Sequence, residues 1–296
     1  MQVEVVLDAA ARIGESPVWV AEERVLYWID VKAPALYRLD PASKAQQSWR
    51  LPGDIGAYSL TTDRDVVIVA LRDGVYRLTL SSGAVALLAH APFDPVMHRF
   101  NEGAADARGR FWVGTMFDPP EDAYAKPQPA GLFRYTTKGG LQPTGNVAEL
   151  HNGMAWNLDE TLFYLAHSYA GVVHAYPFDA ASGSLGRRQV FAAIEKPAGI
   201  PDGAAIDCEG GYWCALHGGG GLRRFRADGV LEREVRLPVS QPTMCAFGGE
   251  ALDILYITSA SKGLDASQRA REPHAGAILA IHPGVTGLPR EHRFTL

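Results

Sequence analysis

Cysteine is scarce in this chain and long apolar runs are missing. Cys208, Cys214 and Cys245 are the only thiols in 296 residues. An odd, low count excludes a disulfide-held scaffold, and the spacing fits no zinc ribbon. The three are expected as free thiols buried in strands. No stretch approaches the roughly 18 uncharged apolar residues of a membrane-crossing helix. The first 17 residues have no basic lead and no long apolar core, and carry Glu4 and Asp8. The expectation is a cytoplasmic protein without a leader or membrane span. Basic clusters are missing too. With 28 Lys and Arg against 33 Asp and Glu, the net charge is -5, and no Lys/Arg run offers a nucleic-acid footprint.

Several catalytic signatures are also lacking. Ser16 stands in IGESPV, which has no second glycine for a nucleophile elbow. H-E-x-x-H does not occur. The glycines at 218–221 are followed by no G-K-[ST] and no helical pattern, so they mark a tight turn or a close backbone approach rather than a phosphate loop.

What remains is a strand pattern. RVLYWID (24–30), DVVIVAL (65–71), GRFWVGTM (109–116), TLFYLAH (161–167), GYWCALH (211–217) and DILYITS (253–259) are short, rich in aromatic and β-branched residues, and preceded by polar turns. A second strand follows each: ALYRLD (35–40), GVYRLTL (74–80), GLFRYTT (131–137), VVHAYPFD (172–179), GLRRFRADG (221–229) and AILAIHPG (277–284). Helix is expected to be scarce. Equivalent positions Tyr37, Tyr76, Phe133, His174, Arg223 and Leu279 recur at intervals of 39 to 57 residues, close to the roughly 40–50 residues of a four-stranded blade. The fold predicted is an all-β, six-bladed β-propeller forming one domain over 1–296, with loops at 90–100, 117–130 and 261–275. A β-sandwich or jelly roll is the alternative.

Four segments carry polar residues just before an apolar stretch: GESPVW (14–19), RFNEG (99–103), HNGMAW (151–156) and IPDGAAID (200–207). Asn-Gly and Asp-Gly are strong turn formers, so Asn152 and Asp202 alone read as turns. Glu15 does not, because Glu is a poor turn residue. In a propeller, the innermost strands begin at the central channel, so these side chains would meet at one mouth. Converging carboxylate and amide oxygens there suit a hard cation.

At these residues the chain resembles the SMP-30/gluconolactonase/regucalcin-like family. GESPVWV, RFNEGAADARGRFWVGTM, NGMAWNLDETLFYLAHS and PDGAAIDCEGGYWCAL match its motifs in order, across essentially the whole chain. The resemblance implies hydrolysis of an aldonolactone, of pentono- or hexono-type and including modified lactones, to the aldonic acid. It implies one divalent ion (Ca, Zn, Mn, Mg or Fe) on Glu15, Asn152 and Asp202; a carboxylate in that shell can also take the proton of the attacking water, which makes Asp202 the expected catalytic residue. Arg99 and Asn101 resemble the family's substrate-binding pair. Glu102, where the family often has Asp, and Asp118 extend that group, with Glu121 a further candidate. His151 and His217 are expected near the mouth as structural or specificity residues. The polar loop bearing Asp118, Glu121, Asp122 and Lys126 suits a polar substrate. The expected partner is a small sugar lactone, taken by a monomer or weak homo-oligomer. A non-catalytic calcium-binding propeller and another metal-dependent esterase are the alternatives.

Overall fold

The computed structural model describes residues 1–120, 126, 128–289 and 291–296. Six antiparallel sheets follow one another along the chain as the blades of a propeller. Blade 1 runs outward from the axis through Gly14–Val20, Val25–Asp30, Ala35–Leu39 and Gln46–Arg50. Blades 2, 3 and 5 repeat this order from Ile55–Leu60, His98–Ala105 and Ile200–Ile206. Blade 4 begins at His151–Trp156, and its third strand, Val172–Asp179, pairs with both Ser184–Leu185 and Gln189–Ala193. Blade 6 takes Pro242–Gly248, Ile254–Ser259 and Ile278–Ile281, then borrows its outer strand, Val3–Leu7, from the other end of the chain. That pairing closes the ring and removes an open sheet edge.

The core is divided in six, one hydrophobic cluster at each joint between neighbouring blades. Second strands such as Val25–Asp30 and Val66–Leu71 are therefore buried along their whole length. Both of their faces meet a neighbour, so they read as continuous apolar runs.

The turns repeat as well. In blades 3 and 5 the sequence D-x-x-G-x-x-W links the first two strands. Asp106 accepts from the amides of Arg108 and Arg110 and from Trp112 Nε1 at 2.8 Å. Asp207 does the same with Glu209, Gly211 and Trp213. Gly109 and Gly210 supply the left-handed residue, at φ 70° and 80°.

Four expectations need correction. The segment 261–275 is not simply a loop; it holds the helix Ala266–Arg271, whose capping box joins Asp265 and Gln268. Of 90–100, the ends belong to the strands Ala84–His90 and His98–Ala105. In 117–130, Phe117 ends one strand and Ala130 begins another. Of the three thiols, Cys214 and Cys245 are buried in strands, but Cys208 is exposed, because it falls in the Asp207 turn. The glycines at 218–221 do form a tight turn. A Cβ on Gly219 would lie 1.9 Å from the Ala198 carbonyl oxygen. No helix among the described residues is long and apolar enough to cross a membrane.

Candidate metal centre and substrate pocket

The innermost strands of all six blades break register at the same point. The shifts fall between Glu15 and Val18, Ile55 and Ala57, Asn101 and Gly103, Asn152 and Ala155, Pro201 and Ala204, and Pro242 and Cys245. A bulge turns a side chain away from its sheet. Here the residues so placed are Glu15, Gly56, Asn101, Asn152, Asp202 and Thr243. Ser16, Glu102 and Gly153, which follow three of them, sit at φ 51°, 50° and 60°, unfavourable for the first two. At Gly56 a Cβ would lie 2.0 Å from the Phe100 carbonyl oxygen, so blade 2 offers only backbone.

The other five line one axial pocket of about 340 Å³, together with Lys32, Arg99, Asp118, Tyr169, His217 and Lys262. The sequence-predicted residues Glu15, Arg99, Asn101, Asp118, Asn152 and Asp202 thus share one cavity. Glu102 is not part of its lining. Its carboxylate turns beneath the pocket and accepts from the amides of Gly153 (2.8 Å) and Met154 (2.5 Å). Glu121 and Asp122 lie outside the described residues, and Lys126 is exposed.

Electrostatically the floor is tense. Burial pushes Glu15 up to about 8, with the Glu102 charge adding to it and the Ser16 amide and Arg99 opposing. Asp202 is raised well above the usual carboxylate range by burial, then by Glu15 and Glu102. Glu102 is held at about 7, where burial outweighs its two amide donors. Arg99 is the cation that opposes the shifts of both Glu15 and Asp202.

Above the floor, hydrogen bonds run in one direction. Arg99 Nη1, which can only donate, reaches Asn101 Oδ1 at 2.8 Å. Asn101 Nδ2 then donates to the His151 carbonyl (3.0 Å) and to Asn152 Oδ1 (2.6 Å). Asn152 Nδ2 donates to Ser168 Oγ at 2.9 Å. Thr243 donates to the Gly14 carbonyl at 2.5 Å, immediately before Glu15.

Asp118 is gripped by three cations on a single oxygen. Oδ2 meets Lys32 Nζ at 2.7 Å, Arg72 Nη1 at 2.8 Å and Arg99 Nε at 3.2 Å. Asp54 shares Lys32 and Arg72. Although burial pushes Asp118 up, these cations outweigh it and hold the carboxyl below its ordinary range. His217 lines the pocket. His151 lies behind the wall, against the Thr115 carbonyl, and burial takes its imidazole down to about 4.

Lys32, Arg72, Ser168 and Thr243 escape the motif reading. One signal would have found the first three. In an antiparallel blade, the end of the second strand lies beside the start of the first. Lys32, Arg72, Asp118 and Ser168 all fall one or two residues past a second strand. Thr243 occupies in blade 6 the register of Glu15 in blade 1.

The site fits a hard cation. Half-buried Glu15 and buried Asp202, both raised by their surroundings, face a pocket already supplied with amide oxygens, and a divalent charge there would relieve their repulsion. Among the described residues, no three His, Cys, Asp or Glu side chains gather as a metal cluster; the set consists of two carboxylates and amides.

A closed six-blade ring with its side chains gathered at one axial mouth defines the class, a propeller with an axial pocket. Within it, the chain belongs to the SMP-30/gluconolactonase/LRE-like family, whose characteristic region matches residues 13–261. It is 36% identical over 276 residues to a 6-deoxy-6-sulfogluconolactonase of Pseudomonas putida, covering 93% of this chain and 92% of that one. It is 31% identical over 290 residues to a regucalcin of Xenopus laevis, covering 97% of each. A solved luciferin-regenerating enzyme superposes with a TM-score of 0.90 at 26% identity, covering 100% of this chain and 99% of that one.

Proposed function

We propose that this protein is a lactonase that opens a polar sugar lactone to its aldonic acid with one divalent cation bound by Glu15, Asn152 and Asp202. The observation that carries this reading is the pair of carboxylates, half-buried Glu15 and buried Asp202, raised by their surroundings and facing the same pocket as Arg99, Asn101 and Asp118. The similarity to a named sugar lactonase over nearly the whole chain supports the same chemistry.

A bound divalent cation supplies Lewis acidity to the lactone carbonyl and lowers the pKa of water. The protein's own residues do the rest. Asp202 takes the proton of the attacking water, as a carboxylate positioned beside the reacting carbonyl can. Water adds at the carbonyl carbon, the ring C–O bond breaks, and the leaving alkoxide oxygen receives the proton that Asp202 took from the water. Arg99 and Asn101 hold the sugar hydroxyls. Asp118 stays ionised under its three cations and accepts from a further hydroxyl. Glu102 acts from below by fixing the Gly153–Met154 backbone, and so the bend that aims Asn152. Lys32, Arg99 and Lys262 on the wall favour a strongly polar or anionic lactone.

A cation store needs the carboxylates but not a wall of Arg99 and a clamped Asp118 beside them, which favours the enzyme. The test is turnover of a panel of freshly prepared aldonolactones, neutral and anionic, by metal-stripped protein with single cations restored. Hydrolysis that requires an added cation supports the proposal; absence of hydrolysis with every cation and lactone contradicts it.

A further inference from the structure

Asn152 differs from a carboxylate as a proposed metal ligand, because only one of its two terminal atoms can bind a cation. If the amide turns over, an NH₂ group faces the ion. The fold must therefore fix which atom points where.

The hydrogen bonds above the floor leave no ambiguity. Arg99 has no acceptor atom, so the Asn101 atom that meets it at 2.8 Å is oxygen. The other Asn101 atom is then nitrogen, which agrees with its 3.0 Å contact to the His151 carbonyl. That nitrogen requires an acceptor on Asn152, 2.6 Å away, so Asn152 presents its oxygen there. The Asn152 nitrogen is left for Ser168 Oγ, at 2.9 Å. Ser168 is fully buried, starts the turn Ser168–Ala170 after the strand Leu162–His167, and is tied through its own amide to the Leu150 carbonyl. It has the rigidity that an anchor requires.

We infer that Ser168 is a positioning residue for the cation site, the terminal acceptor of a one-way chain from Arg99 through Asn101 to Asn152 that holds the Asn152 amide oxygen toward the ion. The inference rests on the proposed metal site. It gives Arg99 a second role, because the direction of the whole chain originates at a group that can only donate. Ser168 is not part of the pocket lining and acts through Asn152. Partners of this kind typically contribute about 10- to 100-fold to metal affinity.

The orientation requirement supplies its own control. In Asn152→Asp both terminal atoms are oxygens, so there is no wrong face and no amide nitrogen for Ser168 to anchor. Calorimetric titration of metal-stripped full-length protein with Ca²⁺, and separately with Mn²⁺, reads the effect without reference to activity. Ser168→Ala should weaken binding about tenfold, and Ser168→Thr, which keeps the hydroxyl, should restore most of it. In the Asn152→Asp background, adding Ser168→Ala should change the affinity less than about twofold, because the amide flip it permits no longer exists. Thermal melts of each variant report folding alongside, and the comparison of the two Ser168→Ala effects stands even if the threonine does not fit. Wild-type-like affinity in Ser168→Ala, or an equal loss in both backgrounds, would overturn the positioning role while leaving the metal site intact. A wild-type protein that binds none of Ca²⁺, Mn²⁺, Mg²⁺, Zn²⁺ and Fe²⁺ would overturn the functional proposal, and the role of Ser168 with it.

Discussion

Asn101 Nδ2 lies 2.6 Å from Asn152 Oδ1, a hydrogen bond that joins the innermost strands of blades 3 and 4 at the axial mouth. It couples a residue of the proposed substrate pair to a proposed metal ligand. Changes on the sugar-binding wall should therefore be felt at the cation, and the two kinds of effect can be separated by asking which residues belong to this chain of contacts and which do not.

Asp202→Asn should reduce kcat by at least about 10²-fold, the usual contribution of a positioned general base. The same change removes one of the repelling buried carboxylates. The metal-free variant should consequently melt above the metal-free wild type, while added cation should stabilise it less. Near-wild-type turnover in Asp202→Asn would remove this residue from the chemistry.

Stability of the metal-free protein should fall as pH rises from 6.5 to about 8. Glu15 is pushed from 4.5 up to about 8 in the folded state. Between those values the folded protein binds more protons than the unfolded chain, so the slope of unfolding free energy with pH is negative. The contribution is fully present below pH 4.5 and is lost by about pH 8. Saturating divalent cation should flatten that slope, because it replaces the protons. Below pH 6.5 the buried imidazoles of His151 and His167, held at about 4 and about 3, contribute the opposite slope, so denaturant titrations between pH 6.5 and 8, with and without cation, measure the carboxylate effect; a metal-free stability that rises across that range would contradict the burial argument.

Asp118→Asn should separate substrate binding from metal binding. Asp118 contacts Arg99 only through Oδ2 and does not touch Asn101 or Asn152 directly. Losing a charged acceptor costs about 1.5–3 kcal/mol, so KM should rise about tenfold or more while cation affinity stays near wild type. Arg99→Ala, by contrast, should impair both KM and cation affinity, because it heads the chain to Asn152. Equal behaviour of the two variants in calorimetry would show that this chain does not transmit orientation.

The repeated turn makes a prediction about stability alone. Asp207 is completely buried and accepts from Trp213, Arg224 and two amides. Asp207→Ala strands the Arg224 guanidinium and should cost about 3–5 kcal/mol, read from denaturant unfolding. A loss under about 1 kcal/mol would mean that Glu209 and Glu232, which also reach Arg224, carry the arginine without it.

Much of this was legible in the sequence, for a physical reason. Each blade is locally coded: apolar second strands buried on both faces, polar turns and short loops give a period that survives without coordinates. Glu15, Asn152 and Asp202 stand at the same register of different repeats, so symmetry alone sends them to one mouth. Thr243 holds that register too, but a hydroxyl in PTMC carries no charge to draw notice. The closing strand Val3–Leu7 was not legible, because its partner Ile278–Ile281 lies at the far end of the chain. Glu102 looked like a pocket residue from its neighbours Arg99 and Asn101; its left-handed backbone, φ 50°, turns it beneath the floor instead. Lys32 and Arg72 come from other blades and meet Asp118 only in the folded ring.

The central claim is that Glu15 and Asp202 are held together for a divalent cation that the reaction requires. Its most direct test is one titration series on metal-stripped protein, wild type and Glu15→Gln, in which cation binding by calorimetry and lactone hydrolysis are followed at the same cation concentrations. The account predicts that wild-type activity rises with site occupancy, and that Glu15→Gln needs at least about tenfold more cation to reach the same occupancy and turnover. Lactone hydrolysis at full rate without cation, or binding curves that coincide for the two proteins, would contradict it.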